Sequence, residues 1–465
     1  MQQGKLISRK SYANIFLGIG VFLLIFGIIL NFILNPKVFY DLPIYIMGVG
    51  IIGLIYGIRQ FVDKKNQNVD IEISSKTVKN FLTNNAIILA LLLLVVVIMI
   101  IQPRFMQYEV MLDILTQSST KMIIALGICF TLLIAGTDLS AGRMVGLAAV
   151  ISTSMLQTSD YANRFFPNMP QLTVIIPILA GIFACMLFGL LNGFLVAKYD
   201  MHPFIATLAV QVIVYGICSL YFDMPPNKSQ PIGGIRPDFI ALGQTKLFQV
   251  GSFPGISILV PIAIFFIILV WFILNKTVFG KNVYAIGGNR EAAVVSGVNV
   301  FATVMGIFVF ASLLYGVGGI LEAARTAGAT NNYGNGYELD AIAACVVGGV
   351  SLNGGVGKVS GIVSGVLIFT VIQYGLQFIA VSPMWQQVIK GVIIAVAVAI
   401  DLSKLQNSSL SKASTLTFPL IHSSYSDANS GYAFLYSLNK SFQLSSLACP
   451  SFIYSSIFLY TSSGT

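Results

Sequence analysis

Charge is what this sequence has least of. Asp, Glu, Lys and Arg make up 9% of its 465 residues, against roughly 25% in an ordinary soluble domain. Histidine is rarer still, with His202 and His422 the only two, so a His-based triad or zinc site has almost no material. The five cysteines (Cys129, Cys185, Cys218, Cys345 and Cys449) lie singly, without a Cys-x-x-Cys pair, and read as packed thiols. A nucleotide-binding P-loop is missing too. It needs Gly, four residues, then Gly-Lys-Ser/Thr, and the nearest candidate, Gly357-Lys358, has Leu352 where the first Gly belongs and Val359 where the hydroxyl belongs. A membrane enzyme lacks any His, Cys or paired-carboxylate constellation, so no catalytic residue and no metal site is assigned.

What is present is apolar. Hydrophobic residues make up 56% of the chain and the mean hydropathy is +0.86, more apolar surface than a soluble fold can hide. Apolar runs of about 15 to 25 residues recur, and about 20 suffice to cross the hydrocarbon core as a helix. The fold class is therefore all-α, a polytopic membrane protein lying among lipid. The net charge of +9 is spread over short loops rather than along one basic stripe, which argues for membrane orientation and against nucleic acid. The first apolar run lacks a small-residue cleavage site and a second follows soon, so it reads as a retained span.

Runs at 16–34 and 44–58 form a two-span hairpin, followed by a polar segment with Arg59, Lys64, Lys65, Lys76 and Lys79. The positive-inside bias puts that segment and the N-terminus in the cytoplasm. Residues 1–80 are thus a hairpin plus basic linker. Further spans fall near 82–101, 121–136, 143–157, 172–197, 203–221, 254–275, 302–320, 359–380 and 387–400. Alternation puts the loop 222–253 outside and 275–299 inside, where Lys276, Lys281 and Arg290 agree. The run 341–350 is too short to span and reads as a half-helix, a re-entrant segment or one arm of a broken helix, for about 11 or 12 crossings in all. Residues 405–465 differ in character, being Ser-rich with Asp427 as their one acidic residue. One reading is translation in a shifted frame after Lys404; it fails if no other frame supplies a short Lys-rich ending and a stop there.

Three motifs carry chemistry. In Gly136-Thr-Asp-Leu-Ser-Ala-Gly-Arg143, Asp138 and Arg143 sit between spans, where a charge lines a cavity or pairs; Asp138 can equally cap the next helix. In the loop 279–298, Asn289 can cap a short helix from Arg290 to Ser296, with Gly287 before it, Glu291 in its first turn and Gly297 at its stop. Ala292, Ala293, Val294 and Val295 give that helix an apolar surface outside the bilayer. Such a surface fits a groove on a partner; resting on lipid headgroups would favour larger anchors and more Lys. The third motif runs from Gly318 through Glu322, Arg325, Asn331, Asn332, Glu338 and Asp340 to Lys358. Amides and carboxylates bond paired hydroxyls and Tyr faces cover apolar C–H surface, which suits a sugar. Equally, Glu322 and Arg325 can pair with each other, or with Glu338 and Asp340.

At these motifs, notably Gly136 to Arg143, Ala329-Thr-Asn-Asn332 and Tyr337-Glu-Leu-Asp-Ala-Ile-Ala-Ala-Cys-Val-Val-Gly-Gly-Val350, the sequence resembles the membrane permeases of the ribose/xylose/galactose branch of ABC-type sugar importers, most of all the galactose/methyl-galactoside permeases. The resemblance covers about 84–404, making 81–404 the transmembrane domain of an ABC importer permease fold. It implies a pore subunit rather than an enzyme, in a bacterial cytoplasmic (inner) membrane, with a second permease copy, a homodimer. It also implies a separate ATP-binding cassette subunit holding ATP and Mg, an extracytoplasmic sugar-binding protein, and a coupling role for the loop 279–298. The alternative from another class, an ion-coupled secondary sugar transporter, needs carboxylates buried in spans near a midplane site, and here only Asp138 lies so.

Overall fold

The computed structural model describes residues 5–7, 9–33, 46–47, 71–73, 86–249, 254–396 and 398–399. Its helices are α1 (Arg9–Ile33), α2 (Ala86–Ile101), α3 (Tyr108–Leu133), α4 (Ala141–Ser154), α5 (Ile175–Lys198), α6 (Pro203–Phe222), α7 (Pro237–Gln244), α8 (Leu259–Lys276), α9 (Val278–Gly288), α10 (Arg290–Val295), α11 (Val300–Thr326), α12 (Tyr337–Val347) and α13 (Val359–Phe378), followed by α14 over 383–396. Among the described residues six helices, α3, α5, α6, α8, α11 and α13, are long and apolar enough to cross a membrane singly. The all-α polytopic class is borne out. The second span of the hairpin lies outside the described residues except for 46–47, and so does everything after 399, including the Ser-rich tail. β1 (Lys5–Ile7) pairs antiparallel with β2 (Ile71–Ile73), so the segment between them leaves and returns to one place. A second small pair joins β3 (Lys246–Leu247) to β4 (Ile256–Ser257).

One boundary departs far from the hydropathy reading. The run expected at 121–136 is the second half of a 26-residue helix, α3, that begins at Tyr108. Its first half carries Glu109, Asp113, Gln117 and Lys121, which depress any hydropathy window laid over it. The helix forms because its opposite side is still apolar, with Val110 and Ile114 buried.

Helix α11 is the hub, packing against α5, α3 and α4. Between helices in lipid the drive is close van der Waals packing at small residues rather than apolar burial. A Cβ at Gly319 would lie 2.3 Å from the Val145 carbonyl oxygen, a separation that only glycine allows. Helix α3 runs antiparallel to α11, since Thr120 meets Glu322 while Gly127, further along α3, meets Ala311 and Tyr315.

The chain between α11 and α13 is a broken span. Ala327, in the left-handed conformation (φ 54°), ends α11, and Ala329 then bridges to Ile232. The loop next descends along α4. A Cβ on Gly146 would come within 2.4 Å of the Tyr333 carbonyl oxygen, and one on Gly142 within 2.4 Å of the Gly334 carbonyl and 2.0 Å of Glu338 Oε2. Gly336 (φ 80°) turns the chain into α12, whose 11 residues reach about 16 Å, half a bilayer core. Beyond it the Gly355 N–H donates to the Leu133 carbonyl at 2.8 Å, at the opposite end of the bundle. The short run expected at 341–350 is therefore the helical arm of a loop-plus-half-helix crossing.

Gly142→Val should thus cost about 1–3 kcal/mol or more by overpacking, lowering the thermal midpoint of the purified protein. Gly216→Ala, where nothing lies within 4 Å of the added Cβ, should leave the midpoint unchanged or raise it by the roughly 0.5–1 kcal/mol of a helical glycine replacement.

Candidate functional site

A cavity of about 450 Å³ lies among α3, α11, α12, α13 and α14. Six carboxamides line it, Gln117 from α3, Gln373 and Gln377 from α13, Gln386 and Gln387 from α14, and Asn335 from the loop. Gln373 and Gln377 share one face of α13 because they stand at i, i+4. The charged lining is Lys121, Glu322, Arg325, Asp340 and Lys390. Next to it lies a narrow space of about 10 Å³ that shares Lys121, Tyr337, Asp340 and Phe369 with the cavity and is otherwise walled mainly by Ile124, Ala341, Ala344 and Val366. The polar chamber thus abuts a narrow, mainly apolar space, the neck.

The charges are held in two groups. Arg325 grips Glu322 with two bonds, Nε to Oε2 at 2.9 Å and an Nη to Oε1 at 2.6 Å. Thr120 Oγ1 and Tyr337 Oη also donate to that carboxylate, at 2.7 and 3.2 Å. At 3% exposure such a carboxylate needs these partners. Of the two open readings, Glu322 and Arg325 pair with each other. Asp340 instead meets Lys390 at 2.7 Å and accepts from Gln373 Nε2 at 2.9 Å, while Lys121 Nζ donates to Gln373 Oε1. The chain Lys121–Gln373–Asp340–Lys390 therefore ties α3, α13, α12 and α14 together across the cavity.

The remaining predicted residues stand beside or away from this chamber. Arg143 donates to Asn332 Oδ1 at 3.2 Å and Asn335 Oδ1 at 3.0 Å, and its guanidinium lies 4.2 Å above the Tyr215 ring. Asn331 Nδ2 donates to Ser219 Oγ at 3.3 Å. Glu338 is buried against Gly142, and its Oε2 has no hydrogen-bond donor among the described residues. Asp138 is 1% exposed and accepts from the Ser140 N–H at 2.9 Å and the Ser140 hydroxyl at 2.5 Å; Asn192 Nδ2 in turn donates to that hydroxyl at 2.9 Å. The cap expected of Asp138 is not made: Ser140 holds the N-cap position of α4, and Asp138, two residues upstream, braces the turn to α5. It does not line the cavity.

At the opposite end of the bundle, Asn289 Oδ1 accepts from the Ala292 N–H at 2.9 Å and starts α10. Gly297 (φ 82°) follows Ser296 and ends it, as its sequence implied. The apolar surface of α10 needs a correction. Ala293 is 3% exposed and packs inward, whereas Val295 is 89% exposed, so the free face consists of Glu291, Ala292, Val294 and Val295. Gly287 is likewise a packing residue, since a Cβ there would lie 1.7 Å from the Leu133 carbonyl. Arg290 ties α10 to the α5–α6 turn through Asp200 at 2.6 Å.

Residues 110–398 match the family described as branched-chain amino acid transport system / permease component. The chain belongs to this permease family. The permease is 51% identical over 325 residues to the galactose/methyl galactoside import permease protein MglC of Haemophilus influenzae, covering 70% of this chain and 96% of that protein. It is 47% identical over 332 residues to MglC of Escherichia coli (71% and 98% covered), and 34% identical to the ribose import permease protein RbsC of Bacillus subtilis (66% and 88% covered). No solved structure matches the chain.

Sequence reasoning missed Lys121, Lys390 and the glutamines of the permease cavity. The usable signal was a lone cation inside each of two apolar runs, expensive in a membrane unless it faces a cavity or a partner. Replacing Glu322 by Ala should strand the Arg325 guanidinium and cost about 3–5 kcal/mol. The pair Glu322→Leu with Arg325→Met should cost less than that single change, as read by thermal unfolding of the purified variants.

Proposed function

We propose that this chain is the membrane-spanning permease subunit of an ATP-binding cassette importer that moves galactose and methyl galactosides inward across a bacterial cytoplasmic membrane. The observation that carries the reading is the 47–51% identity to two galactose/methyl galactoside import permeases over 96–98% of their length. The cavity supports it chemically. Carboxamides offer both donors and acceptors to hydroxyls, and a volume of about 450 Å³ lies within the range of small-ligand sites. An ion-coupled carrier finds less support, because Glu322 and Asp340 are each held by a cation.

In this reading a sugar-binding protein delivers substrate to the end of the bundle where α11 stops and the loop 327–336 enters, the outer side by the charge count with a cytoplasmic N-terminus. The path runs by Glu322, Arg325 and Asp340, flanked by Arg143, Asn331, Asn332 and Glu338. Asp138 keeps the α3–α4 turn in shape. A cassette subunit, which carries the ATP and Mg, docks on the free face of α10. Helix α9 ends with Gly287 against the Leu133 carbonyl, the last turn of α3, and Gly355 bonds that same carbonyl just before α13. A push on α10 is thereby delivered to two helices that carry Lys121 and Phe369 at the neck. A second copy of the chain completes the assembly.

Glu291→Lys and Val295→Asp are expected to abolish uptake and copurification of the cassette subunit, while the binding protein keeps its sugar affinity. Unchanged uptake in both would exclude docking on this face. Ala293→Trp, aimed inward, should instead lower the yield of folded protein.

A further inference from the structure

The four residues shared by the cavity and the neck are a cation, a carboxylate and two aromatic rings, namely Lys121, Asp340, Tyr337 and Phe369. The lining holds three cations against two carboxylates. Arg325 is paired with Glu322 and Lys390 with Asp340, so Lys121 is the lining cation without an ion pair among the described residues. Its ammonium gives one bond to Gln373 Oε1, and an ammonium has three donors. Immediately past it the space falls to about 10 Å³ between apolar side chains, room for one water at most.

We propose that this junction is a binding site within the permease itself, where one neutral monosaccharide rests above the closed neck with its hydroxyls on Lys121 and the carboxamides and its apolar face on Phe369 and Tyr337. The inference rests on the sugar-permease reading and adds to it a stopping point on the path with named contacts. Neutral polyols fit because each hydroxyl both donates and accepts, and the floor offers both kinds of partner: ammonium and amide N–H groups, and amide oxygens. Aromatic rings beside these groups supply the flat apolar contact that a sugar ring's C–H surface takes. Lys121 is a positioning and specificity residue here, since no bond is made or broken.

The test uses the permease–cassette complex in nanodiscs without the binding protein, with methyl galactoside as the probe and saturation-transfer NMR as the readout. The wild-type complex should transfer saturation to the sugar's ring protons at millimolar concentration, and unlabelled galactose should suppress the signal. Lys121→Met should weaken binding about tenfold, the size expected for loss of a charged hydrogen bond, with the cassette subunit still copurifying; Lys121→Arg should restore part of it. Absence of transfer in the wild type, equal transfer in Lys121→Met, or failure of galactose to displace the probe would each overturn the site. Should Lys121→Met not assemble, the wild-type signal and the galactose competition decide. Import of methyl galactoside by the full system without any permease-bound signal sinks this site alone, whereas failure of the full system to import it sinks the functional reading.

Discussion

Inside a bilayer every backbone N–H and C=O has to find its partner within the protein, and this chain has to meet that rule along a stretch that is not helical. The loop 327–336 descends beside α4 only because Gly142 and Gly146 leave room for the Tyr333 and Gly334 carbonyls against the helix. That contact sets the depth at which α12 begins. It thereby places Asp340 at the neck and Asn335 and Tyr337 on the cavity wall. A continuous helix from Thr326 onward would satisfy its backbone more simply, but it would leave no polar chamber. The glycines of α4 and the irregular loop are two sides of one solution.

The polar groups that this arrangement buries are sorted by consequence. Asp138, Ser140 and Asn192 form a buried network at the α3–α4 turn, and Asp138 does not line the 450 Å³ cavity. Glu322, Arg325 and Asp340 make ion pairs at the cavity wall, where one partner of each pair stays partly accessible. Buried pairs of this kind fix geometry more than they add stability. Their cost is acceptable where helices must hold one arrangement around a chamber and later exchange it for another.

Much of this was legible in the sequence where local chemistry decides structure. Asn289 and Gly297 bracket a short helix because a cap acceptor and a left-handed stop are local requirements, and both are seen. The 341–350 run was recognisably too short to cross. What stayed hidden depends on which face of a helix turns inward. Hydropathy averages over faces, so the polar half of α3, with Glu109, Asp113 and Gln117, was lost from its span, and Lys121 at the edge of the run was given no role. Ala293 was assigned to the free face of α10 although the turn geometry directs it inward at 3% exposure. Gln373, Gln377, Gln386 and Gln387 are unremarkable in the sequence. They acquire meaning only when α13 and α14 bring them to one wall.

In the proposed importer the energy for transport comes from a separate ATP-hydrolysing subunit pushing on α10, and not from an ion moving through this chain. The most direct measurement is uptake of labelled methyl galactoside into sealed vesicles that contain the permease, its copurified cassette subunit and the binding protein. Uptake is followed with ATP maintained while the proton and sodium gradients are collapsed by ionophores. The account predicts uptake at an undiminished initial rate, stopping when ATP is withdrawn; prompt loss with the gradients, or uptake persisting without ATP, would contradict it.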